Sequence, residues 1–352
     1  MTPPLTSLQL RLCRKCNLTC THCYTTSSPG IEDPHLPVAV ALRCLNEACS
    51  LGLHVVTLIG GEPLIYPELL PLLDWFDEHP EIAIEFETNG ILLHRYAERL
   101  AKLRNDFSVG ISIDGVSLRG EAATRQALSA LEIPIGKGAK YVQTLCCYEN
   151  IDTDFLTICE HVAKLGIDHV IFPGPSGCGR GKDHLYLAWE DCKRMIDSVQ
   201  TRGWTNIRFE LPSLITGNFN YGCGWNTVRC EIMPNGDVTP CAQAYYEDPA
   251  LAVGNIHRQS LAEIWHRSPA LTGLRGLRQS DMKGACRSCD HWEGCFGACR
   301  SWARSWDEEQ SWTGAYLRCD EFLTDPNRPK KVPFKGVHLL KFKWQGRNHV
   351  VE

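Results

Sequence analysis

Three cysteines crowd the stretch CNLTCTHCY, in which Cys16, Cys20 and Cys23 are separated by three and then two residues, directly after an alternating apolar run from Leu8 to Leu12. Cysteine thiolates are the ligands of iron–sulfur clusters, and a four-iron cubane takes four of them. Three on one loop leave one iron open to a small molecule, as catalytic zinc keeps an open position. The spacing therefore points to a reactive cluster rather than a structural one. Cys13 forms a Cys-x-x-Cys with Cys16, the pattern of a zinc site or a redox pair. A redox pair usually opens a helix, whereas Cys13 ends a strand-like run, and no histidine set nearby completes a zinc site. Cys13 is read as standing outside the cluster.

The cysteine motif followed by an aromatic residue, here Tyr24, resembles the signature of the radical S-adenosylmethionine (SAM) superfamily. After the strand-like run His54 to Ile59 comes Gly60-Gly61-Glu62-Pro63, similar to the family's GGEP segment that receives the methionyl amino group. Glycine at both positions lets the backbone approach a ligand closely, and Glu62 offers acceptors to an ammonium. Two more runs end in polar turns: Ile84 to Glu87 leads into Thr88-Asn89-Gly90, and Phe107 to Ile113 into Asp114-Gly115. The resemblance implies that Asn89, Ser112 and Asp114 face the nucleoside, Ser112 and Asp114 on the ribose hydroxyls. As residues alone, Asn-Gly and Asp-Gly are ordinary turn chemistry. The activity implied is reductive cleavage of SAM to methionine and a 5′-deoxyadenosyl radical, which abstracts a hydrogen atom from the substrate.

From Tyr221 onward cysteines, tryptophans and short strand-like pieces take over. Cys223, Gly236 and Cys241 are followed by Cys286-x2-Cys289-x5-Cys295-x3-Cys299 and then Cys319, a pattern that closely resembles the seven-cysteine SPASM extension with its two auxiliary [4Fe–4S] clusters. Cys230 is an eighth. The resemblance implies Cys223, Cys230, Cys241 and Cys299 on the nearer auxiliary cluster, and Cys286, Cys289, Cys295 and Cys319 on the outer one. With the first loop this makes three [4Fe–4S] clusters. Interleaved ligation would tie a loop-rich segment together, as metal sites do in small domains. A zinc ribbon is the other reading of Cys286 and Cys289, but it leaves several cysteines over. Pro234-Asn235-Gly236-Asp237 reads as a hairpin turn.

The elements that must position these motifs are legible as alternation. Apolar strand runs recur near 8–12, 54–59, 83–87, 107–113, 140–146 and 168–172, with helical periodicity between several of them, notably 36–52, 91–104 and 153–166. Such alternation implies an α/β fold with a parallel sheet and right-handed crossovers. The resemblance bends six such units into a partial (β/α)6, TIM-like barrel followed by the SPASM extension. Ligands of parallel sheets collect at the carboxyl ends of strands, where all three motifs of the first half lie. The expected organisation is a core over 1–210, an auxiliary-cluster unit over 211–325 and a hairpin tail over 326–352. A Gly-rich loop, 173–187, would cover the barrel mouth; its Cys178 is either a hydrogen-atom donor or an unreactive thiol. The other scattered cysteines, Cys13, Cys44, Cys49, Cys146, Cys147, Cys159 and Cys192, read as small buried hydrophobes.

Composition narrows the function classes. Of 352 residues, 43% are apolar, enough for a well-filled core, and the formal charge is only −5. No basic block argues for nucleic acid, and no 18-residue apolar stretch or signal peptide argues for a membrane or export. A cytoplasmic chain with 19 cysteines favours metal ligation over disulfides. Auxiliary clusters give a substrate radical an exit for its electron, so oxidative modification is expected. Its substrate would be a peptide, as for most SPASM-type maturases, or a small sugar-like or nucleoside-like metabolite. A cluster scaffold without catalysis would leave GGEP and SIDG without purpose. The expected partners are the substrate, a reductant such as flavodoxin or ferredoxin, and a separate peptide-recognition protein, since only about seven residues precede the first strand.

Overall fold

A computed structural model describes residues 2–32, 35–174, 176–184, 187–210, 228–290 and 292–315, together with Cys319. Seven strands run in chain order: β1 (Ser7–Arg11), β2 (Val55–Ile59), β3 (Ala83–Thr88), β4 (Phe107–Ser112), β5 (Ala139–Cys146), β6 (Asp168–Pro173) and β7 (Ile207–Phe209). They alternate with α1 (Val38–Ser50), α2 (Leu69–Glu78), α3 (Leu93–Leu100), α4 (Val116–Arg119), α5 (Glu121–Ala130), α6 (Phe155–Leu165) and α7 (Trp189–Thr201). Every neighbouring pair from β1 to β7 is parallel, in sequential order and with β1 not closed on β7, the open barrel expected.

The strands are not uniformly apolar, and this is what makes a site possible. A parallel sheet covered on both faces reads as continuous apolar runs. Here Ile84 and Phe86 of β3 and Phe107, Val109 and Ile111 of β4 are buried in the core, while Glu85, Glu87, Ser108 and Ser112 alternate with them on the other face. The apolar face packs on the helices. α1 buries Ala41, Cys44, Leu45 and Ala48, and α6 buries Phe155, Ile158, Cys159 and Val162, each at helical spacing. Gly166, in the left-handed region at φ 64°, ends α6.

The sheet extends beyond the six strands read from the sequence. β7 adds to one edge, and β8 (Arg229–Ile232) pairs in parallel with β1 on the other, followed by antiparallel β9 (Asp237–Thr239) and β10 (Gly254–Asn255), giving ten strands among the described residues. The hairpin turn expected at 234–237 joins β8 to β9, with Gly236 at φ 83°. Short pieces such as β7 carry too few residues to show periodicity. The second half also sits behind α1: the helix Leu261–Arg267 receives Glu47 on the backbone N–H of Leu261 at 2.6 Å, and Trp265 Nε1 donates to the Pro3 carbonyl at 2.8 Å. Cys223 and the expected tail hairpin lie outside the described residues. Among the described residues no helix is long and apolar enough to cross a membrane.

Candidate active site

A cavity of about 300 Å³ opens at the carboxyl ends of the strands. Cys16, Cys20 and Cys23 line it after β1, Gly60 and Gly61 after β2, Glu87 and Asn89 at the end of β3, and Ser112 and Asp114 at the end of β4. Gln243 and Trp302, from the second half, complete the wall.

The cysteine loop is fastened from two sides. Gly61 N donates to the Cys13 carbonyl at 2.7 Å and Glu62 N to that of Lys15 at 3.0 Å. The approach is so close that a Cβ on Gly61 would sit 2.3 Å from the Lys15 oxygen, and one on Gly60 2.6 Å from that of Cys13. The glycines are thus required by the loop's own backbone. From the other side Arg180 donates through Nε to the Cys20 carbonyl at 2.8 Å, through Nη2 to Ser27 at 2.7 Å, and through its backbone N–H to Cys23 at 3.0 Å. Cys16 Sγ accepts from Leu18 N at 3.4 Å, a bond of the kind that tunes cluster sulfurs. Burial pushes the Cys16 thiol up to about 12, so a bound iron must displace a proton. Cys13 points elsewhere, its Sγ towards the carbonyls of Lys15 and Glu62 at 3.5 and 3.6 Å. No disulfide joins the described cysteines.

Glu62 is fully buried and absent from the cavity wall, as is Pro63. Its carboxylate accepts from Thr88 Oγ1 at 2.6 Å, Asn89 N at 2.9 Å and Leu64 N at 3.0 Å, locking the β2 turn to the β3 turn. Burial still holds its carboxyl above the usual range. Asn89, so positioned, donates from Nδ2 to Asn17 Oδ1 at 2.8 Å in the cysteine loop.

Asp114 gathers the charged part of the site. Its Oδ2 meets His22 Nε2 at 2.9 Å and Arg119 Nε at 2.6 Å, and its Oδ1 accepts from Leu145 N at 2.7 Å. Burial pushes its carboxyl up, but Arg119 and His22 outweigh that and hold it well below the usual range. His22 Nδ1 and Arg119 Nη1 are both buried with no partner, and both residues line the cavity. Neither was singled out from the sequence. His22 lay inside the cysteine loop, and Arg119 follows SIDG by only a few residues.

Lower in the barrel, Glu87, Gly110 and Tyr141 stand in register across β3, β4 and β5. A Cβ on Gly110 would lie 2.6 Å from the Tyr141 ring, so glycine there lets Tyr141 lean across and donate to Glu87 Oε1 at 2.6 Å. Gln143 Nε2 donates to the same oxygen at 2.9 Å. Burial pushes the Glu87 carboxyl up to about 7, with neighbouring Glu85 adding to the shift. Tyr24 also lines the cavity; its hydroxyl accepts from Arg11 and its ring packs edge-on against Tyr246 at 6.0 Å. Cys178 does not line the wall. Its Sγ lies 3.1 Å from Ser176 Oγ and 3.8 Å from the Tyr24 carbonyl, and burial pushes its thiol up to about 11.

In the second half Cys286, Cys295, Cys299 and Cys319 all surround the buried Arg300, whose Nη1 donates to the Gly314 carbonyl at 2.7 Å. Cys289 belongs to the same turn, its N–H on the Cys286 carbonyl at 3.4 Å. Cys241 precedes the helix Ala242–Glu247, which carries Gln243 to the cavity. Cys230 lies on β8. It is fully buried in the main apolar core, in register with Leu8 and beside Cys44, because strand alternation turns it to the helix face while Glu231 faces Arg11.

Two family profiles match the chain: the Radical SAM superfamily over residues 10–175, and an iron–sulfur cluster-binding domain, SPASM, over residues 223–290. A mycofactocin maturase, MftC, of Mycobacterium tuberculosis (strain ATCC 25618 / H37Rv) is 30% identical over 312 residues, covering 81% of this chain and 75% of its own. A pre-heme d1 synthase of Dinoroseobacter shibae is 26% identical over 376 residues, covering 92% of this chain and 90% of its own. Among solved structures, Streptococcus suis SuiB bound to precursor peptide SuiA shares the fold with TM-score 0.69 at 20% identity, covering 90% of this chain and 75% of that one.

Proposed function

Because the chain belongs to the radical SAM superfamily and carries its iron–sulfur cluster-binding SPASM domain, we propose that it is a peptide maturase performing an oxidative modification of a ribosomally made precursor. The observation that carries this reading is the single cavity on which three cysteines, two orphaned buried cationic or imidazole nitrogens and two residues of the second half converge. The donor set fits a cluster and SAM. Cys16, Cys20 and Cys23 would hold a cluster with one open iron, and SAM carries a carboxylate and hydrogen-bonding edges that Arg119 Nη1 and His22 Nδ1 are free to meet. When bound, cluster and SAM supply a hydrogen-atom abstractor.

This chain's residues then bind, orient and move the proton. Ser112 and Asp114 offer acceptors to ribose hydroxyls, while Gly60 and Gly61 present backbone next to the cluster loop. Glu62 positions rather than touches. Glu87, with one oxygen held by Tyr141 and Gln143, has its other oxygen ready to accept the proton that leaves the substrate on net oxidation. Cys178 is a packing thiol. Cys241 and Cys299 with Cys223 would hold a nearer auxiliary cluster, and Cys286, Cys289, Cys295 and Cys319 an outer one, making three with the first. The division into a core at 1–210, a cluster unit at 211–325 and a tail at 326–352 is part of the same proposal; the profile matches over 10–175 and 223–290 support its first two parts. A flavodoxin or ferredoxin reductant and a peptide-recognition protein belong to the same reading.

MftC is named a maturase, and SuiB is seen with its precursor peptide, which supports a peptide. The likeness to a pre-heme d1 synthase supports a second reading, oxidation of a small metabolite. One assay separates them. Reduced, cluster-loaded protein is given SAM and, in turn, synthetic peptides for each short open reading frame found near its gene. Peptide-dependent deoxyadenosine and a peptide lighter by two hydrogens or more are expected. Deoxyadenosine release that no peptide stimulates, together with an unchanged peptide mass, would sink the maturase reading.

A further inference from the structure

Outside the cavity, Cys147, Glu149 and His184 bring one sulfur, one carboxylate oxygen and one imidazole nitrogen within 4.8 Å of one another, a grouping unique among the described residues. Cys147 and Glu149 stand on the turn after β5, and His184 follows the short helical turn Gly179–Asp183 that carries Arg180. We propose that these three side chains bind one zinc-class divalent ion, which clips the 176–184 segment to the turn after β5.

The donor set is what zinc takes: a thiolate, an imidazole and a carboxylate. Tetrahedral zinc with bonds of about 2.0 to 2.3 Å sets its ligand atoms about 3.3 to 3.8 Å apart, so the trio needs only side-chain adjustment. A fourth position is left for water. The Cys147 sulfur is fully buried, and His184 Nδ1 is already drawn to Glu149 Oε1 at 2.8 Å. The turn beneath is rigid: Asn150 Oδ1 accepts from Cys147 N, and its Nδ2 donates to the carbonyls of Asp114 and Leu145, all at 2.8 Å. Preorganised backbone under the ligands is what a metal site requires and a chance contact lacks.

Such a clip would bear on the cavity without touching it. The His184 ring meets the His22 ring edge-on, 6.4 Å between centroids, and His22 holds Asp114. The same segment carries Arg180, which grips the cysteine loop. The sequence hid the site because its ligands are far apart in the chain and Cys147 reads there as core filling.

The test uses cluster-loaded protein incubated anaerobically with zinc chloride, then desalted. About one zinc per chain is expected, and zinc K-edge absorption should give one sulfur near about 2.3 Å with nitrogen and oxygen neighbours. His184→Ala and Cys147→Ser should each lose the zinc and keep the full iron content, which reports that the fold is intact. His184→Ala carries the decision, since His184 lies outside the apolar core. Zinc retained in His184→Ala, an all-sulfur shell that marks zinc at cluster cysteines, or no retained zinc in the unmutated protein would each overturn the proposal.

Discussion

Asp114 sits between two side chains that reach the cavity, so its charge sets both. Without it, Arg119 and His22 lose the anchor that aims their free nitrogens. Asp114→Asn should weaken SAM binding by at least about tenfold, the equivalent of roughly 1.4 kcal/mol, with iron content unchanged. Equilibrium dialysis with labelled SAM measures this, and wild-type affinity would remove Asp114 from the site. Glu87 gives a pH prediction of definite sign. Its carboxyl rises from 4.5 to about 7 on folding, so the unfolded chain deprotonates first and stability falls as pH rises through that window. Glu87→Gln keeps an acceptor for Tyr141 and removes the titration. Its melting temperature should match the wild type near pH 4.5 and exceed it near pH 7, by on the order of 1 to 3 kcal/mol of stability. A gap that does not change with pH would show that folding does not raise the Glu87 carboxyl.

At the scale of elements, two junctions decide whether the loop can hold a cluster. Gly61 lets the β2 turn lie directly on residues 14 and 15, so Gly61→Ala must push backbone against backbone. The variant should retain only the auxiliary irons, losing about four per chain, read by iron analysis and by absence of SAM cleavage. Full iron content would mean that the loop yields more readily than its packing suggests. The second junction joins β1 to β8 through Arg11 Nε and Glu231 Oε2 at 3.0 Å, both nearly fully buried. Arg11→Met leaves a buried carboxylate unpaired and should cost about 3 to 5 kcal/mol in chemical denaturation. A loss under about 1 kcal/mol would mean that the Ala242 N–H, which donates to Glu231 Oε1 at 3.1 Å, suffices for Glu231.

For the whole molecule the prediction is one of stoichiometry. Reconstituted protein should carry about twelve irons, and the triple replacement of Cys16, Cys20 and Cys23 by alanine about eight. Cys230→Ala should leave the iron unchanged and destabilise the core, because its side chain is fully buried in the apolar core in register with Leu8. Cys241→Ala should abolish product while deoxyadenosine is still released. A wild-type protein saturating near four irons would sink the auxiliary clusters, and iron lost in Cys230→Ala would return that residue to the ligand set.

Cysteine spacing, the glycine pair and strand alternation are local patterns, and they determined the chemistry, the parallel sheet and the strand ends on which the site is built. The run near 83–87 reads as an apolar strand, whereas in the structure Glu85 and Glu87 alternate with Ile84 and Phe86 and give the sheet a polar face. Other assignments depended on which side chains fold together across long stretches of chain. Glu62 is a SAM contact by family resemblance, while the three hydrogen-bond donors around its carboxylate come from parts of the chain that only folding brings together. Cys230 is a cluster ligand only by family resemblance, and the strand's two-residue period sets its side chain in the apolar core. His22, Arg119 and the Cys147, Glu149 and His184 trio carry no motif at all. Only the tertiary structure brings them together, because a hydrogen bond or a metal bond depends on separation in space and is indifferent to separation along the chain.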